Sequence, residues 1–236
     1  MVLRPVAARS VLLSVLLGAH PPSLPARDLV AFGEYLGIAE TTVRAALSRM
    51  VAAGDLLKDG TVYTLSERLV ARQRRQDEAV SPSTRAWRGG WELAAVTGTG
   101  RSAADRADLR ATLTSLRLAE LREGLWLRPD NLRRAWPAGL DAVCRRFSGR
   151  PDGVPAELAA SLWDLDGWAR QGEELLGLMD DEDPPKRFAA AAAVVRHLLG
   201  DPVLPEPLLP ANWPAAALRS SYESYREHLL ALRTAF

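Results

Sequence analysis

The chain has 236 residues, 47% of them hydrophobic and 25% charged, enough for two domains, each burying an apolar core. Thirty basic residues against 29 acidic ones leave a net charge of +1, which excludes a histone-like polycation. The single cysteine, Cys144, excludes an intrachain disulfide and a multi-cysteine zinc site and suits a reducing compartment, so the expected location is the cytoplasm.

Charge and tryptophan are unevenly spread. Residues 101–150 carry +5 and residues 151–200 carry −6. A protein that turns one face to a polyanion has such asymmetry, and so does ordinary fluctuation along a chain. All seven tryptophans lie between Trp87 and Trp213, which marks the first 86 residues as a different unit.

In chain order, Val11, Leu12, Val15 and Leu16 form a stripe at helical spacing and predict a helix over 9–19. The apolar run 11–17 behind Arg4 and Arg9 has the look of a signal-peptide core, but it is short and Pro21-Pro22 follows, so it is read as a helix. No stretch approaches the length of a membrane span. A second helix is expected over 27–36, with Leu29, Val30, Phe32 and Leu36 inward and Gly37 free to take the left-handed turn that ends it. A third runs over 40–52 and stops at Gly54.

The third helix is two-sided. At about 100° per residue, Val43, Ala46, Leu47 and Met50 fall on one side, while Thr41, Arg44, Ala45, Ser48 and Arg49 fall on the other. The first set builds a small core. The second is short, polar and cationic. Two helices joined by a Gly-containing turn make a helix-turn-helix, whose second helix enters the major groove. There Arg forks onto guanine, Thr and Ser bond bases or phosphates, and Ala touches a thymine methyl.

After Gly54 the period changes. Asp59-Gly60 is a hairpin-turn dipeptide between apolar Leu57 and Val62. A hairpin directly after a recognition helix is a wing, with Lys58, Thr61 and Tyr63 in reach of the phosphate backbone or minor groove. The candidate DNA-binding set is therefore Thr41, Thr42, Arg44, Ala45, Ser48, Arg49, Lys58, Thr61 and Tyr63. Ser66 caps a further helix to Arg75, whose Arg72, Arg74 and Arg75 form a basic patch.

Residues 81–84 read as a linker. Beyond them a strand is expected at 91–96, a helix at 103–118 with Leu109, Leu113, Leu116 and Ala119 inward, a strand at 125–127, a short helix within 131–140 and a strand at 143–147 that buries Cys144. Strands alternating with helices suit a small α+β sandwich. The remainder reads as helix over 155–180, a solvated acidic turn at 180–183, helix over 187–199, an extended Pro-rich stretch at 201–214 and a last helix over 220–234. The tryptophans of this half are read mostly as core, with an aromatic effector pocket as the alternative. The divisions are 1–80, 85–150 and 151–236.

Several strings resemble the PaaX family of bacterial repressors, named for control of phenylacetate catabolism. They are residues 8–10, the third helix from Thr42 to Gly54, Trp87-Arg-Gly-Gly-Trp-Glu-Leu93, residues 124–129 and above all the Pro-rich string 201–214, where the family more often has an acidic residue than Asn212. The resemblance runs nearly the whole length. It implies a mainly α, α+β chain in three parts: an N-terminal winged helix-turn-helix, a central ferredoxin-like domain similar to Cas2, and a helical C-terminal domain. It also implies a homodimer that represses transcription on double-stranded operator DNA until a small effector, such as an aryl- or acyl-CoA or an aromatic acid, releases it.

The alternative is a DNA-associated, metal-dependent nuclease using the Cas2-like domain. Such an enzyme needs a carboxylate at the end of its first strand, where this chain has Val96-Thr97-Gly98, with Glu92 near the strand's start. No metal-ligand pattern or phosphate-binding Gly loop is recognisable. The expectation is a regulator and not an enzyme, without cofactor, metal or membrane partner.

Overall fold

The structure is a computed structural model describing residues 7–98 and 100–232. It is mainly helical with two antiparallel sheets, the α+β class expected. Helices α1 (Ala8–Gly18), α2 (Ala26–Tyr35) and α3 (Glu40–Ala52) pack on one another. Val11, Leu12, Leu16, Leu29, Phe32, Val43, Leu47 and Met50 are all buried, as their spacing predicts. Strand β1 (Ser23–Pro25) lies between α1 and α2, and the hairpin β2 (Leu56–Asp59) and β3 (Val62–Leu65) follows α3. The three strands form one antiparallel sheet in the order β1-β3-β2. No pattern predicts β1, because three residues ending in Pro25 are too short for any alternation. It sits at the sheet edge, where a proline removes no interior ladder bond. Helix α4 (Glu67–Val80) runs one turn and more beyond the expected Arg75.

The next strands are β4 (Trp91–Val96), β5 (Ala119–Arg122), β6 (Leu125–Pro129) and β7 (Cys144–Gly149), with helix α5 (Ala103–Ser115) between β4 and β5. Their antiparallel order, β5-β6-β4-β7, is that of a ferredoxin-like sheet. The second crossover helix is reduced to a 3-10 turn at Ala138–Ala142, later and shorter than the expected 131–140. Strand β5 is a correction: helix was expected to continue to 118 with Ala119 inward. The helix ends at Ser115 because Arg117 turns left-handed, φ +60°, and Ala119 enters the sheet opposite Leu127. Alternation along β4 and β6 covers both faces of the sheet. Trp91 and Leu127 join Ala159, Leu165, Leu204 and Leu208, while Ala94 and Trp126 join Leu113, Leu118, Leu140 and Cys144. Cys144 is buried at the start of β7, and burial raises its thiol pKa.

The stretch 155–180 is two helices, α6 (Pro155–Leu162) and α7 (Leu165–Met179). Asp164 breaks it, because its carboxylate accepts the Gly167 N–H at 2.9 Å and starts a new helix. Helix α8 (Pro184–Leu198) begins three residues early, its two prolines occupying a first turn that needs no N–H donors. Helix α9 (Ala215–Ala231) begins five residues early, and its expected end at 233–234 lies outside the described residues. The Pro-rich string is not extended. It contains a 3-10 turn at Glu206–Leu208 and left-handed backbone at Val203 (φ +51°) and Asn212 (φ +63°).

Two compact units result, one of residues 7–81, 170–200 and 214–232, the other of residues 82–98, 100–169 and 201–213. Residues 151–236, read from the sequence as one helical part, contribute to both. All seven tryptophans fall in the second unit and none in the first.

That second unit is fastened by Arg128, which is 0% exposed. Its guanidinium donates to the carbonyls of Pro129, Arg117, Pro202 and Val203 at 3.0–3.3 Å and to Asn131 Oδ1 at 2.8 Å. Asn131 Nδ2 donates to the same Val203 carbonyl at 3.0 Å, and Asp201 Oδ1 accepts the Val203 N–H at 2.9 Å. A β-branched residue with positive φ is an outlier that persists only when its surroundings over-determine it, and this cluster does so. Burial pushes the Arg128 pKa down to about 9, against the pull of Glu92, so it stays charged at neutral pH.

Candidate nucleic-acid interface

Helix α3 is about 20 Å long at 1.5 Å per residue. Four buried side chains, Val43, Ala46, Leu47 and Met50, clamp it to the three-helix core. The clamp is close: a methyl added to Gly33 of α2 would collide with Val43 Cγ2. Gly37, at φ +77°, makes the turn between the two helices, and Gly54, at φ +70°, ends α3 where the Asp55 N–H reaches back to the Met50 carbonyl at 2.9 Å.

The opposite face of α3 carries Thr41, Thr42, Arg44, Ala45, Ser48 and Arg49, all exposed. The wing adds exposed Lys58 and Thr61 at its tip. Strand pairing places Gly60-Thr61 alone in the loop, with Asp59 opposite Val62 and Gly60 at φ +55°. Asp59 is thus the last strand residue, and Gly60 takes the first loop position. Tyr63 is the exception in the candidate set. At 8% exposed it faces inward, because β3 alternates and Tyr63 shares the inner side with Leu65, so it does not stand on the surface with Lys58 and Thr61 as expected. The Lys58 ammonium lies 5.8 Å from the Tyr63 ring centroid, a cation–π contact that steadies the wing.

Two features escaped the sequence. Glu40 accepts from the Arg44 guanidinium at 2.6 Å, one helical turn away. The exposed face of α3 therefore holds one paired arginine, Arg44, and one, Arg49, with no ion-pair partner among the described residues. The i, i+4 spacing of Glu40 and Arg44 was the available signal. Asp55, 3% exposed, is the second feature. Its carboxylate accepts from Arg9 of α1 at 2.6 Å and from Arg68 of α4, and its carbonyl accepts the Ser66 N–H at 2.9 Å. One acidic residue thus ties both flanking helices to the base of the wing. The hydrogen bond from Arg9, with the charges of Arg9 and Arg68, holds the Asp55 carboxyl below the usual carboxylate range. Sequence separations of 46 and 13 residues left no local pattern to find. In the second unit, Glu92 is taken up by Arg134 and lies 3.6 Å from Arg128.

Helix-turn-helix, wing and outward cationic face define a winged-helix protein with a ferredoxin-like sheet in its second unit. The chain belongs to the PaaX family of transcription regulators: three family models match it, described as PaaX-like protein over residues 7–69, PaaX protein central Cas2-like domain over 84–143, and PaaX-like protein C-terminal domain over 163–236. Among solved structures it is similar to one titled uncharacterized protein Rv0674 from Mycobacterium tuberculosis, at 51% identity over 98% of each chain and a TM-score of 0.86. No curated protein matches it. Among the described residues no helix is long and apolar enough to cross a membrane.

Proposed function

We propose that this protein is a sequence-specific DNA-binding transcription regulator of the cytoplasm, a dimeric repressor that a small effector such as an aryl- or acyl-CoA releases from its operator. The observation that carries the reading is the exposed face of α3: six short polar, small or cationic side chains on a helix whose other face is fixed by four buried ones. A rigid helix with such a face can place Arg44 and Arg49 against base edges while Thr41, Thr42 and Ser48 meet bases or phosphates. Lys58 and Thr61 of the wing would add backbone contacts.

A gel shift on the DNA upstream of its own gene, at two salt concentrations and with non-specific competitor, tests this. The expected result is a discrete complex on a pseudo-palindromic site, weakened steeply by salt because phosphate contacts release counterions. Arg49→Ala should weaken it by about 1–3 kcal/mol without changing fold stability. Arg44→Ala should weaken it less, because Arg44 must first leave Glu40. Wild-type affinity in both variants would sink this docking of α3.

A further inference from the structure

Strand β7 of the second unit is an edge strand, paired with β4 on one side only. A strand of a sheet with a packed face buries alternate residues, and β7 does so only at Cys144. All six residues from Arg145 to Arg150 are exposed, Phe147 at 57%. Arg145, Arg146 and Arg150 have no ion-pair partner among the described residues. Neither has exposed Arg88, whose carbonyl accepts from the Arg150 guanidinium at 2.9 Å. No carboxylate lies between Cys144 and Pro151. Asp141 and Asp152 stand beyond the two ends, and Glu92, opposite Ser148 on β4, is taken up by Arg134. This short edge supplies +3 of the +5 carried by residues 101–150.

Charge on an edge strand blocks pairing with other sheets, which accounts for arginines there but not for an aromatic ring among them. Phe147 lies on the same face as Arg145, opposite Leu93 of β4. On the other face the Arg146 guanidinium is stacked 4.7 Å from the Trp136 ring centroid. A second copy pairing β7 with β7 about a two-fold axis brings these arginines against their own counterparts, and like charges facing across strands repel. The edge matches instead a partner with repeated negative charge and flat apolar faces. A polynucleotide with unpaired bases has both, whereas a duplex keeps its base faces stacked on one another.

We propose that the β7 edge binds single-stranded DNA, with Arg145, Arg146, Arg150 and Arg88 on its phosphates and Phe147 stacked on a base. The choice of DNA over RNA rests on the regulator reading above. The chemistry of the edge, guanidinium on phosphate and ring on base, needs no 2′-hydroxyl. The contact tolerates sequence, because every base has a π-face. It differs in kind from α3, which carries no aromatic side chain. It also has its own reporter. All seven tryptophans belong to the second unit, and Trp136 lies under Arg146, so a phosphate that moves the Arg146 guanidinium alters tryptophan emission.

The test uses the full-length protein at about 50 mM salt and a labelled oligo(dT) of about 15 nucleotides, read by anisotropy and by tryptophan emission. An unrelated duplex of equal length, an oligo(rU) and phosphatidylglycerol vesicles are the comparison probes. Oligo(dT) should bind and change the emission, oligo(rU) should bind no more tightly, and the vesicles should not bind. Phe147→Ala should lower oligo(dT) affinity about tenfold, the loss expected on removing one stacking ring. Its melting temperature, elution volume and duplex binding should match wild type. Arg145→Gln with Arg146→Gln should cut the slope of log affinity on log salt by about 1.4, at ~0.7 for each phosphate contact. Arg49→Ala, on α3, should leave oligo(dT) binding as it is. No oligo(dT) complex at micromolar protein, wild-type affinity in Phe147→Ala, or an equal loss in Arg49→Ala would overturn the proposal. So would tighter binding of oligo(rU), Phe147-dependent binding of the vesicles, or an altered elution volume in Phe147→Ala, which would place a second copy over the ring. Oligo(dT) binding that passes these tests in a protein with no specific operator complex upholds the edge and fails the docking of α3 instead.

Discussion

Arg49 of helix α3 and Arg128 of the central sheet carry the same guanidinium into opposite settings. Arg49 is exposed and has no ion-pair partner among the described residues, whereas Arg128 is fully buried and donates to five oxygens. In the first unit every described residue with positive φ is a glycine, and Arg49 stands on the surface. In the second, an arginine inside the structure holds an irregular backbone that no helix or strand ladder could satisfy, since the carbonyls of residues 202 and 203 have no regular partners. Arginine enrichment in a sequence therefore says little until each guanidinium is given its neighbours.

The largest expected effect breaks the comparison at its buried end. Arg128→Ala takes a donor from each of the carbonyls of Arg117, Pro202 and Val203 and leaves Glu92 with one cation fewer, so about 3–5 kcal/mol of stability should go. Because every tryptophan lies in the second unit, the loss should appear as an earlier transition in tryptophan fluorescence. An unchanged fluorescence midpoint would mean that the Pro-rich string is held by other contacts.

The complementary change is in the tryptophan-free unit. Gly33→Ala adds a methyl where Val43 Cγ2 already stands, and the β-branched Val43 has few rotamers to give way with. Overpacking of this kind costs about 1–3 kcal/mol, partly offset by the better helix propensity of alanine. Far-UV circular dichroism should report an earlier melt while the tryptophan transition stays put. Restoring room with Val43→Ala should recover part of the loss.

Legibility followed the same divide. In the first unit α1, α2, α3, the Gly37 turn and the wing were readable, because amphipathic spacing and glycine punctuation act within a few residues. So was the outward face of α3; in the wing Tyr63 was misplaced, because its place depends on the side of β3 it takes. Strand β1 was lost because it has no period. In the second unit β5 was lost because Ala119 continues a helical stripe that Arg117 ends by its backbone conformation, a feature without a local signature. The string 201–214 was noticed for its prolines, yet its partner Arg128 lies more than 70 residues away. Glu40 was the one omission with a visible signal.

Asp55 tests how far the wing and the exposed face of α3 depend on their supports. Its folded-state pKa is lowered by Arg9 and Arg68, so its contribution to stability is fully present above the unfolded value, near 3.9. It is lost as pH falls through the lower folded value. Asp55→Asn should flatten that acid limb in circular dichroism and cost about 1 kcal/mol at neutral pH, since both arginines are largely exposed and screened. DNA affinity should fall with it, because the base of the wing loses its tie to α1 and α4. An acid limb identical to wild type would place the acid-sensitive group elsewhere.

The smallest expected effect is the most informative about recognition, because it runs in the opposite direction. Glu40→Gln removes the carboxylate that occupies Arg44. An exposed i, i+4 pair contributes about 0.3–0.5 kcal/mol, so stability should fall by no more than that. If α3 docks on DNA as proposed, operator affinity should rise, since Arg44 no longer has to exchange one acceptor for another and a negative charge leaves the docking face. Glu40 also sits in the first turn of α3, where a negative charge is favourable, so the wild-type residue is understandable as helix support that tempers DNA affinity. If Glu40→Gln weakened specific binding, Glu40 would itself be reading a base, as a carboxylate can by accepting from cytosine N4. The paired arginine would then be a positioned one, with Glu40 setting the angle at which Arg44 enters the groove.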